Sequence, residues 1–130
     1  KMEKDGLISA GGGLDQVTWM DVCVNGILPT PRHGKPVEIN AYWYNALRIM
    51  DVFAEKLGKD KKDYLALSEK VKESFLKNFY MKKEGYLKDV ISGTKADKQL
   101  RLLIAHMLRQ FAQDKENRGV SVFADINGYE

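Results

Sequence analysis

Residues 36–58 read PVEINAYWYNALRIMDVFAEKLG and carry the clearest secondary-structure signal in the chain. Proline suits the first turn of a helix, where its missing N–H would have no partner anyway. Apolar residues then recur at the spacing of one helix face, and Gly58 stands where a glycine commonly ends a helix. We therefore predict a helix from Pro36 to Leu57. Its predicted buried stripe comprises Ile39, Tyr42, Trp43, Ala46, Leu47, Met50, Phe53, Ala54 and Leu57.

A second helical pattern follows after a very short connection. Residues 60–80 repeat the apolar spacing of one helix face, and Asp60 with Asp63 resembles a capping pair at the start. Because so few residues separate the two patterns, we predict that the helices form an antiparallel hairpin. The second stripe comprises Tyr64, Leu67, Val71, Phe75 and Phe79.

The segments that flank this hairpin have a different character. Residues 1–35 are rich in glycine and proline, so they predict an irregular, loop-rich first third with short extended pieces. Long loops inside compact domains are usually functional or disordered, and the apolar residues threaded through this one favour function. Further on, Tyr86 to Ile91 predicts a short extended segment, Asp97 to Gln113 a third helix, and residues 120–126 a short strand.

Composition limits the classes of function. The chain has 130 residues and a net charge of +3, which fits one soluble globular domain at most. Its lysines are mixed with acids, as on solvated helix faces, so we predict no nucleic-acid partner. No apolar run approaches the roughly 20 residues that span a bilayer, so we predict no membrane contact.

The single cysteine and the first residue bear on the compartment and on completeness. Cys23 has no second cysteine to pair with, which favours a reducing, cytoplasmic location and a buried structural thiol. The sequence begins with Lys1 and shows no signal pattern, so we expect a piece of a longer chain.

The chemistry-bearing residues lie in the loop-rich third and at the start of the first helix. Asp21 follows Trp19 on a glycine-flanked loop, Arg32 stands on a proline-stiffened loop, and Glu38 opens the helix. Aromatic faces stack on sugar rings, and charged planar groups hydrogen-bond to sugar hydroxyls. Glycoside hydrolysis needs two carboxyl groups that flank the scissile bond. The pattern therefore favours a carbohydrate site.

The order of these motifs resembles a known family. Gly6 to Ile8, Thr18 to Asp21, Thr30 to Arg32 and Gly34 to Leu47 are similar to the amylo-α-1,6-glucosidase domain of glycogen-debranching enzymes. The resemblance implies an all-α fold, part of an (α/α)6 six-hairpin glycosidase barrel. It also implies inverting hydrolysis of α-1,6-linked glucose from glycogen or limit-dextrin oligosaccharides, with no cofactor and no metal.

The resemblance also assigns roles to residues of this chain. Asp21 matches the general acid, while Trp19, Arg32 and Glu38 match residues that line the pocket for the terminal glucose. The resemblance covers residues 1–101, so we expect a partial glucosidase segment followed by a divergent tail at 102–130. The region of the family that holds the catalytic base lies beyond this chain. We therefore expect the chain to be inactive alone and to self-associate through exposed barrel faces.

Simpler explanations of the same residues remain open. Asp21 fits an exposed turn, Trp19 fits a core position, and Arg32 fits a surface ion pair. Glu38 also fits the first turn of a helix, where a negative charge is favourable. The alternative function is accordingly a carbohydrate-binding surface without catalysis, or a helical fragment without function.

Overall fold

The computed structural model describes residues 1–60 and 63–99. In chain order the elements are β1 (Lys35–Pro36), α1 (Val37–Lys56), α2 (Tyr64–Phe79), β2 (Tyr80–Met81), β3 (Tyr86–Leu87), β4 (Val90–Ser92) and β5 (Lys95–Asp97). Strands β1, β4 and β5 form an antiparallel sheet in the order β1-β4-β5, and β2 pairs antiparallel with β3. Neither helix in this part of the chain is long and apolar enough to span a membrane.

The helical hairpin is confirmed. Helices α1 and α2 lie within the predicted ranges and pack against each other. Arg48, in the second half of α1, pairs with Glu69, in the first half of α2, at 3.1 Å, which fits an antiparallel arrangement. Gly58 follows α1 with φ of +59°, so a glycine ends this helix as predicted.

The core lies between the inner faces of the two helices and the residues that follow α2. Within it, the rings of Phe75 and Phe79 stack with centroids 4.9 Å apart. Leu47 and Ala54 of the predicted α1 stripe are buried, but Met50 and Phe53 are exposed. Because α1 carries apolar residues around most of its circumference, periodicity alone did not select the buried side. The buried apolar residues are Leu7, Val37, Ala41, Tyr44, Leu47, Ala54, Val71, Phe75, Phe79, Met81 and Val90.

The prediction of an all-α fold, part of an (α/α)6 six-hairpin barrel, is wrong for the residues that the structure describes. Two helices stand beside five strands in two small antiparallel sheets. The strands span only two or three residues each, which is too short for alternation of apolar and polar residues to reveal them. Asp97, the predicted start of a third helix, ends β5 instead. Lys98 and Gln99 are not helical either. Residues 100–113 of that predicted helix, the strand at 120–126 and the boundary at residues 101 and 102 lie outside the described residues.

The first third is irregular, as predicted, and two side chains of α1 bind its backbone. Residues 1–34 contain no helix or strand, and their only β-pairing consists of isolated bridges. Asn40, which is fully buried, accepts a hydrogen bond from the Ile8 amide at 2.6 Å and donates to the Ile8 carbonyl at 3.1 Å. The Trp43 indole donates to the Gly6 carbonyl at 3.1 Å. These contacts hold buried Leu7 against the helix.

Gly34 allows the irregular segment to approach the three-stranded sheet. Its φ is +107°, and a Cβ atom at this position would lie 2.3 Å from the carbonyl oxygen of Ile91. Only glycine fits such a conformation and such an approach. The loop that carries Arg32 is thereby brought beside the residues that lead into β4.

Candidate active site

Asp21 closes a short turn and is buried, with 2% of its surface exposed. Its Oδ2 accepts hydrogen bonds from the amides of Val17 at 2.8 Å and Thr18 at 3.1 Å. The Thr18 hydroxyl donates to Oδ1 at 3.3 Å, and Gln16 Nε2 donates to the Asp21 carbonyl at 2.6 Å. A buried carboxylate is costly unless hydrogen-bonded, and these donors satisfy it. The simpler explanation of Asp21 as an exposed turn residue is therefore wrong.

Arg32 lies at the centre of a buried group of charges, which we call the Arg32 cluster: Arg32, Glu38 and Asp89. Arg32 is 1% exposed and Asp89 2% exposed. Arg32 Nε donates to Asp89 Oδ2 at 3.2 Å, and Nη2 donates to Asp89 Oδ1 at 2.8 Å. On the other side, Nη1 and Nη2 pair with the two carboxylate oxygens of Glu38. The guanidinium is thus held by two carboxylates in fork-like geometry.

The electrostatics of the cluster favour a charged arginine. Burial by itself lowers the pKa of Arg32, but the hydrogen bonds and charges of Glu38 and Asp89 outweigh it, so the pKa is raised above its ordinary value. Arg32 therefore remains charged throughout the neutral range. With two carboxylates facing one guanidinium, the cluster carries a formal charge of −1 when both acids are ionised.

Thr18 joins the Arg32 cluster to the turn that holds Asp21. Arg32 Nη1 donates to Thr18 Oγ1 at 3.1 Å, and the same hydroxyl donates to Asp21 Oδ1. Two of the four predicted site residues, Arg32 and Glu38, are thus in direct contact. The third, Asp21, is one hydroxyl group away from Arg32.

Trp19, the fourth predicted residue, lies at the surface. It is 56% exposed, whereas Asp21 in the same turn is buried. The simpler explanation of Trp19 as a core residue is therefore wrong. Further apolar side chains of the same loop are also exposed, so the surface around the turn can make apolar contacts. They are Leu14, Val22, Val24 and Ile27.

The donors of Arg32 are all directed at protein acceptors. Its Nε, Nη1 and Nη2 atoms donate to Asp89, Glu38 and Thr18, so no N–H group of the guanidinium is left for a ligand. Glu38, in the first turn of α1, is 6% exposed and points both oxygens at Arg32. Neither side chain reaches the surface, and the simpler explanation of Arg32 in a surface pair is excluded.

Asp89 and Thr18 are the members of this network whose part sequence reasoning did not foresee. Asp89 follows Lys88 and directly precedes the apolar residues Val90 and Ile91 on a short extended segment, where an acid that becomes buried needs a partner. That is the only local signal. The partner of Asp89 stands 57 residues earlier in the chain, so no spacing rule connects the two.

Among residues 1–60 and 63–99, no group of three or more histidine, cysteine, aspartate or glutamate side chains is placed to hold a metal ion. The carboxylates that come close together in this part of the chain pair with basic side chains instead: Glu38 and Asp89 with Arg32, and Glu3 and Asp5 with Lys35.

Comparison with known proteins identifies the family. A family model described as amylo-alpha-1,6-glucosidase matches residues 1–123, which is most of the chain. No curated protein and no solved structure matched. The chain therefore belongs to the amylo-alpha-1,6-glucosidase family and is a domain related to glycogen-debranching enzymes, with a carbohydrate as the implied substrate. The match includes most of the segment at 102–130, whose separate origin stays a prediction.

Proposed function

We propose that this member of the amylo-alpha-1,6-glucosidase family supplies the general acid, Asp21, for inverting hydrolysis of α-1,6-linked glucose on a limit dextrin. The observation that supports it is the contrast within one turn, where a buried carboxyl group lies two residues from an exposed indole, Trp19. In an inverting reaction, one carboxylic acid protonates the leaving oxygen. A second carboxylate, roughly 6.5–9.5 Å away, activates water on the opposite face of the sugar.

Trp19 is proposed to bind the sugar that carries the scissile bond. An exposed indole offers a flat apolar face to a pyranose ring, and its N–H can bind a hydroxyl group. Because Trp19 and Asp21 belong to one hydrogen-bonded turn, a ring stacked on Trp19 stays close to the carboxyl group. Glycogen or a limit-dextrin oligosaccharide is the proposed partner, and a cytoplasmic location is proposed with it.

Arg32 and Glu38 remain candidates for contact with the terminal glucose. Their charged groups face each other in the structure, so a glucose hydroxyl would have to replace part of that pairing. Hydroxyl groups can do so because they both donate and accept hydrogen bonds. Under this proposal the Arg32 cluster is the floor of the sugar pocket.

The 130-residue chain is proposed to lack hydrolytic activity by itself. Among the described residues, the buried carboxylates besides Asp21 belong to Glu38 and Asp89, and both are engaged with Arg32. Neither is available to activate water in this arrangement. Glucose release from a limit dextrin by the purified chain, lost on Asp21→Asn, would contradict this part of the proposal.

The role of Asp21 is best tested with leaving groups of different quality. The test uses a debranching enzyme in which residues 1–99 of this chain replace the equivalent segment of the enzyme. In that chimera, Asp21→Asn keeps the shape of the side chain and removes the proton that a general acid transfers. Loss of a general acid typically costs on the order of 10²–10⁴ in rate, so limit-dextrin hydrolysis should fall by that factor. Fluoride is a good leaving group that departs without protonation, so glucosyl fluoride should be hydrolysed at close to the normal rate.

Equal losses with both substrates would make Asp21 a base or a binding residue instead. Asp15→Asn is the matched control, because Asp15 lies in the same loop and its carboxylate binds only the exposed Gly12 amide among the hydrogen bonds described. It should leave both rates unchanged.

The alternative, sugar binding without catalysis, is favoured by the exposure of Trp19 and needs no second carboxylate. Titration of the 130-residue chain with an α-1,6-branched maltooligosaccharide, followed by tryptophan fluorescence, tests it. Trp19→Ala should abolish the response, whereas Trp43→Phe, whose indole is bound to the Gly6 carbonyl, should keep it. Binding together with equal losses in the two hydrolysis assays would favour the alternative.

A further inference from the structure

We propose that Asp89 is a positioning residue, which sets the orientation of the Asp21 carboxylate through Arg32 and Thr18. The description of Asp21 as an acid rests on the proposed function, but the chain of contacts does not. It runs from a strand-connecting segment to the turn at residues 17–21, and each step is a hydrogen bond between named atoms.

The first step fixes Asp89 itself. Its amide donates to the Asp97 carbonyl at 2.9 Å, and its carbonyl accepts from the Val37 amide at 3.0 Å. Asp89 is therefore held between the last residue of β5 and the first residue of α1. Its side chain is fully buried, so its direction is set by the elements on both sides.

The second step transfers this orientation to Arg32. The Asp89 carboxylate accepts from Nε and Nη2, and the Asp89 carbonyl also accepts from Nη2 at 3.1 Å. Contacts to two edges of a planar group define both its position and its plane. Glu38 closes the opposite side of the guanidinium. Arg32 consequently has one orientation, in which Nη1 points at Thr18.

The third step transfers the orientation to Asp21. A hydroxyl group has one hydrogen to donate, and the Thr18 oxygen already accepts from Arg32 Nη1 and, at 3.3 Å, from the Met20 amide. The remaining direction carries the hydroxyl hydrogen to Asp21 Oδ1. Oδ2 is bound by two backbone amides, so this hydroxyl decides how the second oxygen of the carboxylate is turned.

Hydrogen exchange at the Val17 and Thr18 amides reports on this arrangement, because both amides donate to Asp21. In the 130-residue chain, Asp89→Asn should replace one carboxylate oxygen by an amide group that faces the Arg32 donors. Exchange at the two reporter amides should rise roughly three- to tenfold, the size expected for loss of one hydrogen bond. Exchange in the core of α1 and α2, at Leu47 and Val71, should rise less.

A double-mutant comparison separates positioning from general destabilisation. Thr18→Val removes the hydroxyl with little change of shape, and Thr18→Ser restores it. If Asp89 acts through Thr18, Asp89→Asn has no further effect in the Thr18→Val chain. In the Thr18→Ser chain, the two reporter amides should exchange at the same rate as in the unsubstituted chain. Glu69→Gln, which removes an exposed partner of Arg48, should leave the exchange rates of both amides unchanged.

Three results would overturn the proposal: an effect of Asp89→Asn that adds in full to that of Thr18→Val, no effect on the reporter amides, or a chain unfolded by Asp89→Asn. The last would assign Asp89 a structural role alone. These measurements use no substrate, so the outcome of the hydrolysis assays does not alter them. Conversely, a confirmed contact chain would leave the catalytic role of Asp21 to be decided by those assays.

Discussion

The Arg32 cluster and the outer face of α1 reverse the usual distribution of residues in a globular domain. Three charged side chains are buried in the cluster, whereas the outer face exposes large apolar side chains to solvent. Buried charges contribute little net stability, and exposed apolar residues contribute none by burial. Net stability therefore accounts for neither the buried charges nor the exposed apolar side chains. The outer face comprises Tyr42, Ile49, Met50, Val52 and Phe53.

The largest expected effect breaks the buried side of this comparison. Arg32→Met keeps an unbranched, uncharged stem but removes the guanidinium, which leaves Glu38 and Asp89 facing each other without a counter-charge. Removing one partner of a buried ion pair typically costs about 3–5 kcal/mol. We expect a loss of that size in the free energy of unfolding, measured by urea denaturation.

The exposed pair Arg48 and Glu69 supplies the matched control. Its side chains are 40% and 49% exposed, and such pairs contribute at most about 1 kcal/mol. Arg48→Met should accordingly change the unfolding free energy by less than about 1 kcal/mol. Similar losses of unfolding free energy for Arg32→Met and Arg48→Met would show that the buried ion pairs of Arg32 contribute no more to stability than the exposed pair.

A smaller effect is expected where the backbone brings the cluster together. Gly34→Ala forces a side chain into a conformation with φ of +107° and against the Ile91 carbonyl. Backbone strain of this kind costs about 1–3 kcal/mol, and the clash adds to it. Gly85→Ala separates the two terms, because Gly85 has φ of +73° but open space around it. Equal losses of thermal stability at the two positions would exclude a contribution from close approach.

The ion pair between Lys35 and Asp5 is partly exposed, so its burial is intermediate between that of the Arg32 cluster and that of the outer face of α1. Burial raises the pKa of Asp5, but the hydrogen bonds from Lys35, at 2.6 Å, and from the Leu7 amide outweigh it, so the pKa is lowered. A lowered pKa adds stability above the unfolded value of about 3.9, and that stability is lost as the pH falls through the folded value.

The Asp5→Asn chain should therefore be less stable than the unsubstituted chain at neutral pH. The difference in unfolding free energy between the two chains should shrink below about pH 4, because there the unsubstituted chain loses the contribution of its Asp5 carboxylate. Because the pair is partly exposed, we expect a difference below about 1 kcal/mol at neutral pH. Urea denaturation at pH 7 and pH 3 measures it. A constant difference between the two chains at both pH values would contradict the assignment.

The smallest effect on stability is expected on the outer face of α1. Phe53→Lys replaces an exposed ring by a charge, and such surface changes usually alter stability by no more than about 0.5 kcal/mol. Contiguous exposed apolar side chains favour association, so we expect the unsubstituted chain to self-associate and the variant to shift towards monomer in sedimentation velocity. Leu65→Lys, on α2, tests whether association is confined to α1. A monomeric unsubstituted chain would contradict the expectation.

Sequence reasoning succeeded where the signal is local. The stripe of α2 repeats within one short segment, and both Val71 and Phe79 are buried as predicted. It chose the wrong side of α1 at Met50 and Phe53, because the buried side depends on what packs there. The predicted extended segment, Tyr86 to Ile91, contains β3 and most of β4. The other strands and all strand pairings were missed, because backbone pairing across turns at Gly85 and Gly93, rather than side-chain alternation, forms them.

The candidate site divides in the same way. The motif around Asp21 lies within four residues and was visible in the sequence, together with Trp19. Asp89 was not visible, because its contact with Arg32 spans 57 residues and exists only after the sheet has formed. The pairing of Arg32 with Glu38 spans only six residues and was still missed, because both side chains were predicted to contact the terminal glucose.

The sequence separation within the Arg32 cluster has a consequence for synthesis of the chain on the ribosome. Arg32 emerges first, Glu38 follows six residues later, and Asp89 only 57 residues after Arg32. At about 5–20 residues per second, the guanidinium waits roughly 3–11 s for its second carboxylate. During that interval the helical hairpin can form from local contacts, while the segment that carries Asp21 has no fixed place to dock. The link from Asp89 through Arg32 to Thr18 is thus expected to form after the local hydrogen bonds of the turn that holds Asp21.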